Sequence, residues 1–502
     1  MDILKKMKSY ASNLRSKASS PASNGMTTLS GSEISKLGIT GKYSRLHSSV
    51  ASSGTDQILE KRSGDLVYIV YFILGTGFLL PWNAFITAVD YFGYLYPNTH
   101  VDRIFSVSYL VPCLAILCLL IAYGQRFGPQ ARINCGLGLF FISIVVVPIM
   151  EALFIEGQDA SSWTYFVTVG AVVVAGVGDA LVQGTLIGFA GHLPERYTQA
   201  IVSGTGFSGV LVSLLRIVTK DAFPDTPGGL RSSANIYFTV SAVFLVFCTL
   251  SYNAVYGVAS KMVCKTESEE EGEEDAVVKG LTIESELNFN EETTGEDGLN
   301  YGVGADDEII NSSHGQADHH SPAAMTLEKG KHLVNQKFRL KQIFLQVSWL
   351  AAAMAITYVI TLAIFPGFLT EDVTSAALGD WYPVLLIGCF NVFDLVGKSL
   401  PAKYVPSKQV HGFGWAAARL LFFPLYSACV HGPKIFRTET PVFVLTGLLG
   451  LTNGYLTTCL FLVAPRGFKS GSLDVQTAGV VMVLALEVGL TLGSLVGWVW
   501  VV

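Results

Sequence analysis

The feature that most constrains this chain is a series of eleven apolar segments, each close to the length that crosses a bilayer. A spanning helix needs about 20 mainly apolar residues, and a helix satisfies its own backbone hydrogen bonds within the hydrocarbon core. The sequence therefore predicts an all-α polytopic membrane protein. The predicted spans are 66–90, 104–124, 133–155, 163–190, 199–219, 235–258, 342–365, 381–404, 411–430, 441–464 and 477–501.

The composition excludes several other classes of protein. Of the 502 residues 50% are hydrophobic and 14% are charged, whereas soluble domains carry about 25% charged residues. The net charge is -6, and no basic stripe with interleaved aromatics indicates a nucleic-acid partner. The 8 cysteines are scattered without metal-ligand spacing. No GxSxG, HExxH or Walker loop is present, so we expect neither an enzyme nor a cofactor or bound metal.

Polar stretches divide the chain into four parts. Residues 1–64 are rich in serine, glycine and lysine, which is typical of a disordered tail. Residues 65–258 hold six of the predicted spans and residues 341–502 hold five, which predicts a six-helix bundle followed by a five-helix bundle. The segment 259–340 between them is predicted to be a loop.

This central loop differs in composition from its surroundings. It contains the acidic run Glu267–Asp275 and few large apolar residues, so it buries too little surface to offset the entropy of ordering. We therefore predict an acidic, disordered loop over 259–340. Ser268, with Glu271 three residues later, is a candidate site for a kinase, although an ordinary solvated linker is the stronger interpretation.

Lysine and arginine are concentrated in alternate joints, which predicts an orientation. Beyond the basic N-terminal tail, the basic joints contain Arg126, Arg132, Arg196, Lys331, Lys337, Arg339, Lys341, Lys403, Lys408, Arg466 and Lys469. By the positive-inside rule the N-terminus and the central loop are cytoplasmic, and the odd number of spans places Val502 on the opposite side. Asn311, the single Asn-x-Ser/Thr sequon, would then escape glycosylation.

A tryptophan–asparagine pair stands beside Pro81 inside the first predicted span. Trp82 offers a flat ring for stacking, and Asn83 offers two hydrogen-bond donors and an acceptor. A membrane tolerates such groups where a neighbouring helix or a water-filled cavity satisfies them. The pattern supports two interpretations equally: a segment that lines a cavity, and a kinked helix whose Asn83 bonds a neighbour.

The eighth predicted span carries two opposite charges. A charge at the bilayer centre costs about 2.5–3.5 kcal/mol on insertion scales. Asp394 and Lys398 are four residues apart, share a helix face and can pair, which by itself would be a structural role. Asn391 extends the same polar face by one turn, and a polar face of three residues in mid-span favours a substrate path.

Other ionisable residues interrupt the remaining apolar segments. Asp179 and Gln183 lie four apart on the fourth span, and Glu487 lies in the last span without an evident local partner. A lone membrane acid is a candidate proton carrier, and a cross-helix partner is an equal alternative. Arg216 on the fifth span and Arg419 on the ninth are candidates for structural or gating charges.

Glycines recur four residues apart on two spans. Gly184 and Gly188 lie on the fourth span, and Gly489, Gly493 and Gly497 lie on the last. Small residues at this spacing let helix backbones approach closely. Packing inside one bundle is the favoured interpretation, and an oligomer face is the alternative.

Four motifs together resemble the equilibrative nucleoside transporter family, solute carrier family 29. They are LLPWNAFITAVDYF, AGHLPERYTQAIVSG, FNVFDLVGKSL and LGLTNGYLTT, in the order and on the spans that the family uses. The stretches YFGYLYPNTHVDR and LRIVTK resemble its plant branch most closely. The resemblance covers 66–258 and 342–502 and implies a major-facilitator-like bundle of eleven helices, six plus five, that lacks a twelfth.

The resemblance also implies a site for the nucleobase. Trp82 corresponds to the tryptophan beside the base, and Asn83 to its polar neighbour. Ile86 lies one turn further on, and Leu110 on the second span would help to form the apolar wall. Gln183 matches the glutamine that bonds the base edge.

A second part of the implied site would bind the ribose. Asp394 matches the family aspartate that binds ribose hydroxyls. Lys398 stands where the family has an arginine, and a lysine lacks the planar bidentate fork of a guanidinium. The geometry of ribose binding is therefore expected to differ here.

The resemblance implies transport of purine and pyrimidine nucleosides across the bilayer by alternating access. The flux would be facilitated or proton-coupled, with Glu487 and Asp179 as candidate proton-coupling acids. The alternative is an organic-cation or monoamine carrier, but that branch has a glutamate where GTGFSG has Thr205. We expect the plasma membrane first and the vacuolar membrane second.

Overall fold

The computed structural model describes residues 40–97, 99–123, 127–155, 162–223, 226–291, 322–404, 409–433, 435–468 and 473–501. All regular elements within these residues are helical. The α-helices are Thr40–Thr87, Val89–Leu95, Val101–Tyr123, Pro129–Met150, Ser162–Ala190, Glu195–Ala222, Pro227–Glu291, Pro322–Ile364, Trp381–Ser399, Gln409–Ala418, Phe422–His431, Glu439–Val463 and Leu473–Val496. Short π-helical turns follow at Glu151–Ile155 and Phe368–Asp372.

The prediction of eleven membrane spans is confirmed, because eleven described helical stretches are long and apolar enough to cross a bilayer. Numbered in chain order, spans 1 to 11 are Arg62–Thr87, Arg103–Ile121, Pro129–Phe154, Ser162–Ala190, Glu195–Ala222, Gly228–Cys264, Lys341–Asp372, Trp381–Ala402, Gly412–His431, Glu439–Gly467 and Asp474–Val499. Several extend beyond the predicted limits, because helical hydrogen bonding continues through polar residues after the apolar run has ended.

The helices also extend into the segments that were predicted to be disordered. The helix that begins span 1 starts at Thr40, so it includes the last part of the predicted tail 1–64. Helical backbone likewise covers both ends of the predicted loop 259–340, up to Glu291 and again from Pro322. Residues 1–39 and 292–321, including Asn311, lie outside the described residues, and the division into two bundles stays a prediction.

Spans 8 and 10 pack backbone against backbone through glycines. A Cβ atom on Gly454 would overlap the carbonyl oxygen of Asp394, and one on Gly450 would overlap that of Phe390. A Cβ on Gly397 would in turn overlap the carbonyl oxygen of Leu451. This close approach sets the height and rotation of the helix face that carries Asp394.

The glycine repeat on span 11 packs in the same way. A Cβ on Gly489 would come 2.5 Å from the carbonyl oxygen of Ala355, and one on Gly493 would come 2.7 Å from that of Val359. Both partners belong to span 7, so these glycines bring two helices of the same chain together. The favoured interpretation of internal packing is confirmed for this repeat.

The spans differ in how much they are enclosed by the rest of the protein. In the most apolar part of span 10, 78% of the residues are buried, against 28% in span 9. Span 9 exposes large apolar side chains such as Trp415, Leu420 and Leu421, as expected for a surface against lipid. Span 10 is therefore central, and its polar residues face other helices.

We expect the substitution Gly454→Ala to lower the thermal midpoint of the detergent-purified protein. The new methyl group would force spans 8 and 10 apart, and overpacking of this kind costs about 1–3 kcal/mol. The matched control is Gly138→Ala in span 3, where an added Cβ meets no atom within 4 Å. A midpoint for Gly454→Ala equal to that of the control would contradict the close packing.

Candidate functional site

Spans 1, 2, 4, 5, 7, 8, 10 and 11 contribute side chains to a central cavity. The space between them measures about 940 Å³, including the part open to solvent. Most of the lining is apolar. Nine of the predicted site residues line it: Trp82, Asn83, Leu110, Asp179, Gln183, Asn391, Asp394, Lys398 and Glu487.

The predicted pair on span 8 is a buried ion pair. The Nζ atom of Lys398 lies 2.7 Å from Oδ2 of Asp394, and the side chains are 5% and 6% exposed. The side-chain amide of Asn453 on span 10 donates to Oδ1 of Asp394 over 2.8 Å. Each carboxylate oxygen therefore has a partner, and the carboxylate is held at the cavity wall by an ammonium from its own helix and an amide from the next.

The main chain at Lys398 is also tied to its neighbours. Span 8 is near its end here, where carbonyl groups lack partners within the helix. Gln199 of span 5 donates to the Lys398 carbonyl oxygen over 2.9 Å, and the Thr458 hydroxyl of span 10 lies 3.4 Å from it. The ion pair therefore lies near the end of span 8, and contacts from spans 5 and 10 hold this helix end in place.

Asn391 connects span 8 to span 5. Its side-chain nitrogen donates to the Ser213 hydroxyl over 2.8 Å and to the Gly209 carbonyl over 3.2 Å. A Cβ on Gly209 would come 2.5 Å from the Asn391 side-chain oxygen, so only glycine leaves room for this contact. Asn391 lines the cavity as the sequence analysis proposed, and its amide nitrogen holds two helices together.

Behind Asn453 lies a chain of polar contacts that orients it. The Thr361 hydroxyl of span 7 lies 2.9 Å from the Asn453 side-chain oxygen, which fixes the amide nitrogen toward Asp394. Arg419 of span 9 donates to the Thr361 hydroxyl over 2.7 Å and to the Thr452 hydroxyl over 2.8 Å. Arg419 therefore lies outside the cavity lining and supports it from behind.

The two other predicted residues outside the cavity lining have structural surroundings. Ile86 is buried in an apolar cluster that includes Phe365 and Tyr382. Arg216 of span 5 is 2% exposed and donates to the Ser233 hydroxyl of span 6 over 3.0 Å. Both positions link neighbouring spans.

Two aromatic rings form one face of the cavity. The ring centroids of Trp82 and Tyr109 are 5.0 Å apart at an interplanar angle of 57°. Next to them, the side-chain nitrogen of Asn83 donates to the Ser208 hydroxyl of span 5 over 3.1 Å. Both interpretations of this pair therefore hold, because Trp82 and Asn83 line the cavity while Asn83 also bonds a neighbouring helix.

The acids of spans 4 and 11 face one another. One carboxylate oxygen each from Asp179 and Glu487 and the Cys113 sulfur all lie within 4.8 Å of one another. The Cys113 sulfur lies 3.9 Å from Oδ2 of Asp179. The cross-helix neighbour of Glu487 is thus a second carboxylate, which no pattern within a single helix indicates.

Charged groups also join the early and late spans at one end of the molecule. Arg103, at the start of span 2, contacts the Glu371 carboxylate and lies 3.1 Å from that of Asp372, both at the end of span 7. Its guanidinium lies 5.7 Å from the ring centre of Trp498. This cluster therefore joins spans 2, 7 and 11.

A second charged contact lies at the opposite end. Arg466, at the end of span 10, donates to the Glu195 carboxylate at the start of span 5 over 2.7 and 2.9 Å. The bidentate geometry favours a fixed orientation. Helices from the first six and the last five spans are therefore connected at both ends.

Sequence reasoning missed several residues that shape the cavity. Asn453 lies inside LGLTNGYLTT as a polar residue in mid-span, a signal that could have singled it out. Tyr109 and Thr361 carry no such signal, because tyrosine and threonine are common in membrane helices. Arg103 lies just outside the predicted second span, so it did not stand out as a charge within the membrane.

Comparison with known proteins gives consistent results. The profile described as "Nucleoside transporter" matches residues 169–502. Equilibrative nucleotide transporter 1 of Arabidopsis thaliana is 45% identical over 87% of this chain and 86% of its own length. Equilibrative nucleotide transporter 8 of the same plant is 37% identical over 89% and 98%. Human equilibrative nucleoside transporter 4 is 29% identical over 86% and 82%.

Solved structures with a similar fold are sugar transporters. A proton:xylose symporter of the major facilitator superfamily has a TM-score of 0.55 at 13% identity, covering 86% of this chain and 88% of that one. A partially occluded, inward-open form of the E. coli xylose transporter has a TM-score of 0.52, also at 13% identity, covering 87% and 94%. At this identity the likeness shows the fold alone, and it confirms the predicted major-facilitator-like architecture.

The buried ion pair predicts a specific pattern of stability. Lys398→Met would leave the Asp394 carboxylate buried without its ammonium, a loss that costs about 3–5 kcal/mol in buried pairs. We expect a clearly lower thermal midpoint for this variant and recovery of most of the loss in the double variant Asp394→Leu/Lys398→Met, measured on detergent-purified protein. A double variant no more stable than the single one would contradict the pairing.

Proposed function

Because the chain belongs to the nucleoside transporter family, we propose that it carries nucleosides across the membrane by alternating access. The observation that carries this proposal is the central cavity, which has an aromatic face at Trp82 and a buried ion pair at Asp394 and Lys398. A nucleoside has the same two parts, a flat base and a polar sugar. The cavity lining therefore offers a suitable surface to each part of the substrate.

We assign the aromatic face to the nucleobase. The Trp82 ring is half-buried, lies against Tyr109 and has apolar neighbours such as Leu110 in the cavity wall. Stacking of a base on an aromatic ring contributes about 1–3 kcal/mol and is tolerant of the base. Gln183 lines the same cavity and offers hydrogen bonds to the base edge.

We assign Asp394 and Lys398 to the ribose. A carboxylate accepts hydrogen bonds from the vicinal hydroxyls, and an ammonium donates to their oxygens. Asn453 and the Lys398 ammonium hold the Asp394 carboxylate in one orientation before the substrate arrives. Pre-ordering of this kind lowers the entropic cost of binding.

Alternating access is supported by the contacts at the two ends. Arg103 with Glu371 and Asp372 at one end, and Glu195 with Arg466 at the other, join helices of the first six spans to helices of the last five. In each step of transport, the ionic contacts at one end break while those at the other end remain formed, as the two predicted bundles rock about the cavity. We keep the predicted orientation with a cytoplasmic N-terminus, and the plasma membrane before the vacuolar membrane.

The relatives reported above are named as nucleoside or nucleotide transporters. Their names give no support to the alternative of an organic-cation carrier. Thr205 lines the cavity and donates to the Val202 carbonyl over 2.7 Å, where the cation branch has a glutamate. A kinase acting on Ser268 stays a prediction, since the side chain of Ser268 lies outside the described part of the structure.

Proton coupling is the second part of the proposal, and its candidates are Asp179 and Glu487. One oxygen of each carboxylate lies within 4.8 Å of the other, and the two come from spans 4 and 11, so binding of one proton would relieve the repulsion between the two predicted bundles at this point. Uptake of radiolabelled adenosine at two external pH values, with and without a protonophore, tests this. Acid-stimulated uptake that collapses with the protonophore supports coupling, and uptake indifferent to both means passive facilitation.

The substrate assignment predicts that Asp394→Asn lowers adenosine uptake at least about 10-fold, because a hydrogen bond to a charged group contributes about 1.5–3 kcal/mol. Uptake is measured in cells that lack their own nucleoside carriers and normalised to protein at the membrane. The matched control is Asp380→Asn, an exposed aspartate before span 8, which we expect to transport normally. Full uptake by the Asp394→Asn variant would contradict the assigned role.

A further inference from the structure

One wall of the central cavity carries buried polar atoms that have no hydrogen-bond partner. They are the Tyr109 hydroxyl, Oδ1 of Asp179, the side-chain oxygen of Gln183 and both carboxylate oxygens of Glu487. All four residues line the cavity and are at least nine-tenths buried. We call these four residues the acceptor wall, because its carboxylate and amide oxygens accept hydrogen bonds.

The rest of the polar lining is different, because its groups are already paired. Asp394 has an ammonium and an amide on its two oxygens, and Asn391 donates to two groups of span 5. Asn83 donates to Ser208. A substrate in the cavity therefore meets both groups that are already paired and acceptors that are not.

No cation within the described residues neutralises the acceptor wall. Two buried cations of other spans are engaged elsewhere, since the Lys398 ammonium lies 2.7 Å from Asp394 and the Arg419 guanidinium donates to two threonines. Neither Asp179 nor Glu487 forms an ion pair in the described part of the chain. Leaving such groups unpaired away from water costs several kcal/mol for a charge, so an occupant that displaces water from this wall must supply donors.

A proton shared between the two carboxyl groups does not remove this requirement. The titratable groups facing Asp179 and Glu487 are Tyr109 and Cys113 of span 2 and Tyr358 of span 7. Two carboxylates within 4.8 Å favour the binding of one proton, which turns one carboxyl oxygen into a donor. The remaining carboxylate oxygens, together with the side-chain oxygen of Gln183, are still acceptors.

We propose that the acceptor wall binds the amino groups of the nucleobase, so that the protein selects nucleosides whose base carries an exocyclic amine. The inference rests on the proposed function. Adenine presents a 6-amino group, cytosine a 4-amino group and guanine a 2-amino group beside its ring N–H. A base that presents carbonyl oxygens alone at this edge would face the acceptors and leave them unpaired.

Two pairs of nucleosides test this inference, because each pair differs only in one amino group. Guanosine differs from inosine by the 2-amino group, and adenosine differs from purine riboside by the 6-amino group. We would measure initial uptake rates over a range of concentrations in cells without their own nucleoside carriers, and compare the ratio of maximal rate to KM. A site that hydrogen-bonds a group discriminates strongly against the analogue that lacks it, so we expect at least about 10-fold preference for the amino-bearing member of each pair.

Isosteric variants test whether the preference for amino-bearing nucleosides comes from the acceptor wall. Asp179→Asn and Glu487→Gln keep the shape of each side chain but replace an acceptor oxygen by a donor NH₂ group, and we expect each to reduce the preference to less than about threefold. The matched control is Asp221→Asn, an exposed aspartate at the end of span 5, which we expect to keep the full preference. Purified protein provides a second readout, in which adenosine should raise the thermal midpoint more than purine riboside does.

The possible outcomes separate this inference from the proposed function. Uptake of both members of each pair with equal efficiency by the unaltered protein overturns the inference and leaves nucleoside transport standing. A preference that persists undiminished in both isosteric variants also overturns it. Absence of uptake for every nucleoside, with the protein at the membrane, overturns the proposed function as well. Because the first comparison uses the unaltered protein, it does not depend on whether the variants fold.

Discussion

In the hydrocarbon core of a bilayer a polar group has no water to bind, and this constraint governs the contacts of the buried polar residues in the protein. Each buried polar group must find its partner in the protein or in the substrate. On spans 5, 8 and 10 the partners come from the protein, as in the contacts of Asp394 with Lys398 and Asn453. On spans 4 and 11 the carboxylates of Asp179 and Glu487 instead lie side by side, with one oxygen of each within 4.8 Å of the other. The same rule therefore distinguishes groups that build the cavity from groups that await a substrate.

The close packing of glycines connects the fold to the site. Gly454 lets span 10 approach the carbonyl of Asp394, and this approach brings the Asn453 amide within 2.8 Å of the carboxylate. Gly209 has the same effect on span 5, where it makes room for the side chain of Asn391. These glycine contacts therefore do more than pack helices together. They also set the positions of polar atoms in the cavity wall.

The sequence predicted what depends on local pattern and missed what depends on distant parts of the chain. Hydropathy predicted all eleven spans, and the spacing of four residues predicted the pair of Asp394 with Lys398, because both signals lie within one helix. The resemblance supplied Trp82 and Gln183, which line the cavity. The partner of Glu487 could not be predicted, since it depends on how spans 4 and 11 are placed in three dimensions. The helix ends were misjudged for another reason, because a helix continues through polar residues where a hydropathy pattern stops.

The central claim is that this chain is a carrier for nucleosides, and exchange in proteoliposomes tests it most directly. Purified protein would be reconstituted, and the initial uptake of radiolabelled adenosine would be measured with and without unlabelled nucleoside inside the vesicles. The account predicts saturable uptake that internal nucleoside accelerates, because a loaded cavity returns across the membrane more readily than an empty one. Uptake that rises linearly with concentration and ignores the internal nucleoside would indicate a channel, and no uptake above protein-free vesicles would contradict the account altogether.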